Sequence, residues 1–178
     1  MAGIIIVEQG GLFESDGHAE HTYTAVMLLP FSVDDVGAFE LSDAGSTHRF
    51  ERDGTGAWYY HGHADAPETP EPHDYQADPA QSELIASALA AFGRTRIQRQ
   101  VGTGLEGDAF GVAKPNMIIA LYEAGQDQPL VRYVVGDLEP DELRRYLLIT
   151  DQDSIVTIPN YQIDNLRGLV EAMRTPPQ

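Results

Sequence analysis

The chain contains no cysteine. That excludes disulfides, thiol nucleophiles, iron–sulfur clusters and sulfur-ligated zinc. Positive charge is scarce: 11 Lys and Arg stand against 28 Asp and Glu, for a net charge of −17, and Lys114 is the sole lysine. Nucleic acid and anionic lipid surfaces both demand clustered cations, so neither is expected as a direct partner. Long apolar runs are also missing. Ile4–Val7 is stopped by Glu8-Gln9-Gly10-Gly11, far short of the roughly 20 apolar residues that span a bilayer. The same segment lacks the basic region and cleavage site of a signal peptide. No G-x-S-x-G, H-E-x-x-H or phosphate-binding P-loop occurs, and each of those patterns carries a definite chemistry. The reading is therefore non-enzymatic.

The 178 residues suffice for one domain or two small ones in contact, with about 70% of the unfolded surface buried on folding. Charge is uneven along them. Residues 1–90 carry 16 acids and 2 bases, whereas residues 91–178 carry 12 acids and 9 bases. All six histidines (His18, His21, His48, His61, His63 and His73) fall in the first half. Residues 1–21 read as an N-terminal extension or the remnant of a membrane anchor.

Tyr23–Pro30 is a near-continuous apolar run and predicts a buried strand. Val36–Ser42, Thr47–Arg52 and Ala57–His63 predict an antiparallel meander, with Asp53-Gly-Thr-Gly56 as a hairpin turn. Residues 64–79 are acidic and carry Pro67, Pro70, Pro72 and Pro79, so they read as an extended loop. Asp78-Pro79 opens a helix as cap and first position. Its apolar stripe is Leu84, Ile85, Ala88, Leu89 and Phe92, and Gly93 ends it. Arg94–Val101 predicts a strand, and residues 102–115 a Gly-rich connector. Asn116–Glu123, Pro129–Val135, Leu143–Thr150 and Ser154–Ile158 predict four more strands. A last helix follows from Asn160 to Arg174, with Ile163, Leu166, Val170 and Met173 facing inward.

Strands precede a helix twice, and Tyr75-Gln76 recurs as Tyr161-Gln162, 86 positions later. The predicted fold class is α+β, built as two tandem units of about four antiparallel strands plus one helix, a duplicated sheet-and-helix domain. The units span 22–101 and 116–178, joined by the connector 102–115.

Gly102-Thr-Gly104-Leu-Glu-Gly107 matches G-x-G-x-x-G, but Gly111 and Lys114-Pro115 follow where a dinucleotide site needs a helix. A connector is the better reading. Asp151-Gln-Asp153 lacks the remaining ligands of a calcium loop and reads as a turn. His61-Gly-His63 is the best metal candidate. Residues two apart on a strand point the same way, so His61 and His63, with His73, are a candidate site for Zn or Cu. The alternative is a pair of solvated histidines at a strand end. Trp58 and Tyr60 share one face of their strand, either as core or as exposed interface aromatics.

Several segments resemble a bacterial domain-of-unknown-function family, number 4340. The stretch Arg49-Phe-Glu-Arg-Asp-Gly-Thr-Gly-Ala-Trp58 and the Leu/Ala-rich helix Ala80–Phe92 carry part of the likeness. Phe110-Gly-Val-Ala-Lys-Pro115, Pro129-Leu-Val-Arg-Tyr-Val-Val-Gly-Asp137, Arg145-Tyr-Leu-Leu-Ile and Ser154-Ile-Val-Thr-Ile carry the rest. It spans roughly residues 24–173. The resemblance implies an envelope protein with an N-terminal anchor, on the extracytoplasmic side of the inner membrane. Some members are associated with gliding-type ABC transporter systems as auxiliary components. It supplies no catalytic residues. The expected function is thus a non-catalytic accessory or interaction subunit that docks onto subunits of a membrane-protein complex. A metal-binding envelope protein using the histidines is the alternative. The expected docking residues are Arg94, Arg96, Arg99, Arg132, Arg144 and Arg145 from the more neutral half, with Trp58 and Tyr60. No cofactor is expected beyond the Zn or Cu alternative.

Overall fold

Alternating apolar residues dominate the middle of the chain, and they form strands. A computed structural model describes residues 26–63 and 78–174. In it β1 (Val36–Asp43), β2 (Ser46–Arg52) and β3 (Trp58–His63) make a meander, followed by α1 (Pro79–Gly93). Then come β4 (Arg99–Thr103), β5 (Met117–Glu123), β6 (Pro129–Leu138), β7 (Arg144–Ile149), β8 (Ser154–Pro159) and α2 (Tyr161–Arg174). The eight strands form one sheet in the order β3-β2-β1-β5-β6-β7-β8-β4. All neighbours are antiparallel. The expected α+β class holds.

The two-unit duplication is not seen. β5 pairs directly with β1, so the meanders share one continuous sheet. β4 leaves the first meander altogether and pairs with β8 at the far edge. Local periodicity specifies a strand but not the edge it joins. The strand expected over Tyr23–Pro30 reduces, in its described part, to a single bridge between Met27 and Arg96.

The helices cover one face of the sheet. Phe39 stacks on Phe50 with centroids 4.5 Å apart, and Trp58 meets Phe39 edge-on at 5.5 Å. Ile85, Leu89 and Phe92 of α1 and Ile163, Leu166 and Leu169 of α2 pack on that face with Ile119, Leu121, Tyr133 and Leu147. Leu84, read as part of the α1 stripe, is instead exposed. Tyr133 is buried, and its hydroxyl donates to the Leu28 carbonyl at 2.9 Å, tying the segment before β1 to the sheet. Asp78 caps α1 by accepting from the Ala80 amide at 2.9 Å, as a cap of that type should. Asp53 closes the β2–β3 turn through the amides of Thr55 (2.8 Å) and Ala57 (2.9 Å).

Candidate functional site

The second face of the sheet is divided. Over β6, β7, β8 and β4 its outward residues are apolar. Val134 and Ile155 lie buried with Val112, and Val101, Phe110, Tyr146 and Leu148 pack against them. The cover is the chain itself: residues 104–110 form a short 3-10 segment, and Phe110 meets Tyr146 edge-on at 4.8 Å. The G-x-G-x-x-G stretch is thus part of this cover, and no α-helix opens after it. Gly136 permits the close approach, because a Cβ there would strike the Phe110 carbonyl oxygen.

Over β3, β2, β1 and β5 the outward face is more polar, around a small buried patch of Ala38, Ala120 and Tyr122. Strand alternation places Glu40 between the core residues Phe39 and Leu41, and Arg49 between His48 and Phe50. Glu40 and Arg49 are direct cross-strand partners, as are Glu51 and Tyr59. Their side chains join into a ladder. The Tyr122 hydroxyl donates to Glu40 Oε2 at 2.7 Å. Arg49 donates to Glu40 Oε1 at 2.8 Å and to Glu51 Oε1 at 2.6 Å. The Tyr59 hydroxyl donates to Glu51 Oε2 at 2.7 Å. The Arg49 guanidinium also lies over the Tyr122 ring, 5.3 Å from its centroid. His61 extends the row, its Nε2 3.9 Å from Glu51 Oε2. Opposite charges directly across a sheet, bonded through ionised groups, are among the stronger surface pairs.

Tyr59, Tyr122, Glu51 and Arg49 are each shifted away from neutrality. Burial pushes the Tyr59 phenol up to about 12, aided by its bond to Glu51. Burial and the bond to Glu40 push Tyr122 to about 12 as well. Burial works to raise Glu51, but bonds from Tyr59 and Arg49 outweigh it and hold the carboxyl low. Burial likewise opposes the charge on Arg49, and its two carboxylate partners outweigh it.

Among the described residues the expected site residues lie in several places. Gly62 has φ +91°, and the β2–β3 register slips between Arg49 and Phe50. This bulge breaks the two-residue alternation. His63 falls opposite His48, whose side chain is buried, while His61 lies beside Tyr59 on the outer face. Two-residue spacing is therefore interrupted between His61 and His63 along the strand, and His73 lies outside the described residues. Among the described residues no group of three His, Asp or Glu is placed to hold a metal.

The arginines scatter too. Arg94 and Arg96 are exposed after α1. Arg99 and Arg144 both pair with the buried Glu139, and Arg144 also with Asp141. Arg145 turns towards α2 and bonds Asn160. Only Arg132 stands on the outer face near Tyr122. Trp58 is 1% exposed and offers no surface to a partner, and Tyr60 packs on the core beside Phe50. Glu40, Arg49, Glu51 and Tyr122 were not singled out from sequence. Tyr122 and Glu40 lie 82 residues apart, and nothing local links them.

No helix among the described residues is long and apolar enough to cross a membrane. No family model, no curated protein and no solved structure matches the chain.

Proposed function

We propose that the protein is a non-catalytic interaction subunit that docks through the polar half of its outer sheet face. The observation behind this reading is the ladder from Tyr122 through Glu40, Arg49 and Glu51 to Tyr59. It holds two tyrosines, an arginine and two carboxylates in fixed positions beside the more exposed His61 and Arg132. A rigid surface with Tyr and Arg already ordered loses little side-chain entropy on binding, and these residue types dominate protein interfaces. Docking onto a bacterial membrane complex from the extracytoplasmic side rests on the strand-pattern resemblance alone. Native fractionation of membranes from cells that make the chain tests both parts. Wild-type chain is expected to co-migrate with a large complex, and Arg132→Glu with His61→Glu to reduce that co-migration about tenfold. Wild-type chain migrating free would overturn the subunit reading. Undiminished co-migration of the double variant would overturn the docking face.

A further inference from the structure

The helix-covered side of the sheet carries a feature of opposite charge character, remote from the ladder. Four of the eleven cationic side chains, Lys114, Arg145, Arg167 and Arg174, line two adjoining cavities beside α2. In a chain of net charge −17 such convergence is not expected from composition. The smaller cavity, about 60 Å³, is lined by Lys114, Asn116, Gly136, Asp137, Arg145 and Arg167. A water needs roughly 10–15 Å³ of such space, so several fit. The larger, about 210 Å³, adds Leu41 and Val170, with Asp43 and Glu171. Arg167 and Met117 belong to both.

The cations differ in their engagement. Arg167 donates to Asp43 at 2.8 Å. Arg145 is oriented by neutral partners only: Nε donates to Asn160 Oδ1 at 2.8 Å and one Nη to the Gly136 carbonyl at 2.9 Å. No carboxylate among the described residues bonds it, nor Lys114. Burial, then the like charge of Arg167, lowers the Arg145 pKa, against the pull of Asp164, Asp137 and Asp43. A half-buried guanidinium held by neutral acceptors, with no carboxylate bonded to it, is a preorganised anion receptor.

We propose that the smaller cavity binds a tetrahedral oxyanion of the phosphate class, free or as a phosphomonoester, between Arg145, Lys114 and Arg167. An organic group on the ester would extend over Met117 into the larger cavity. This site is independent of the docking face.

The test is a 15N–1H NMR titration of the full chain with sodium phosphate, against sodium chloride at matched ionic strength. Saturable shifts are expected at the amides of Gly111, Lys114, Asn116 and Gly136. Arg145→Gln should weaken affinity about tenfold, the loss typical of one charged hydrogen bond. Lys114→Gln should weaken it about threefold, and this exposed residue keeps the test valid if Arg145→Gln perturbs the fold. A parallel titration with glycerol 3-phosphate separates the sources. Added shifts at Val170 and Glu171 assign an ester, whereas shifts confined to the smaller cavity assign the free ion. Unsaturable shifts, shifts spread equally over Arg94, Arg96 and Arg132, or an affinity unchanged by Lys114→Gln would overturn the proposal.

Discussion

The two halves of the outer sheet face have the same backbone and opposite surfaces. On β2 the alternation is clean: His48 and Phe50 point to the helices, while Arg49 and Glu51 point outward. On β8 every residue from Ser154 to Ile158 is buried, because the segment 104–112 lies over the far side. A strand wetted on one face reads as alternation, and one covered on both reads as an apolar run. The first meander faces outward with Glu40, Arg49 and Glu51, and the second hides Val134, Leu148 and Ile155 under its own connector. One half is packed under the chain itself, and the other presents a charged ladder.

Breaking the covered half should cost most. Ile155→Ala removes a fully buried side chain beneath the connector and should destabilise by about 3 kcal/mol, measured by urea unfolding. A cost below about 1 kcal/mol would mean that the cover is not packed as described. In the polar half, Arg49→Met keeps the bulk but removes both ion pairs of the ladder. A loss of about 1 kcal/mol is expected, smaller in 1 M salt, since half-exposed pairs are weak and screened. An equal loss at both salt concentrations would argue against an electrostatic origin.

The smallest effect is on titration. Tyr59 and Tyr122 have folded values of about 12, against about 10 in an unfolded chain. A raised folded value favours the protonated native state. Their contribution is full below about pH 10 and is lost as pH rises towards 12. Tyrosinate absorbance should therefore show late-titrating phenols, and Tyr59→Phe should remove one of them with well under 1 kcal/mol of stability lost at pH 7. An unchanged late amplitude in Tyr59→Phe would contradict the ladder.

Most element boundaries were legible. The Asp78 cap, the Asp53-Gly-Thr-Gly56 turn and the apolar periods of the strands place β1–β3, β5–β8 and both helices within a few residues. These signals are local, set by backbone conformation and side-chain spacing over a handful of positions. The candidate histidine pair turns on one equally local detail. Gly62 has a positive φ, and the β2–β3 register slips beside it, which spacing alone does not signal. The ladder and the cavities were not legible at all. Glu40 meets Tyr122, and Lys114 shares a cavity with Arg167, only because β5 docks on β1 and α2 lies across the sheet.

By itself, then, the sequence determined the strand and helix inventory, the α+β class, the exclusion of thiol chemistry and the acidic character of the first half. Only the tertiary structure decided the strand order, which half of the outer face is covered, and which charges meet. The physical reason is that periodicity and turn chemistry act between near neighbours. Strand docking and ion pairing join residues many tens of positions apart, through contacts that exist only once the chain has closed on itself.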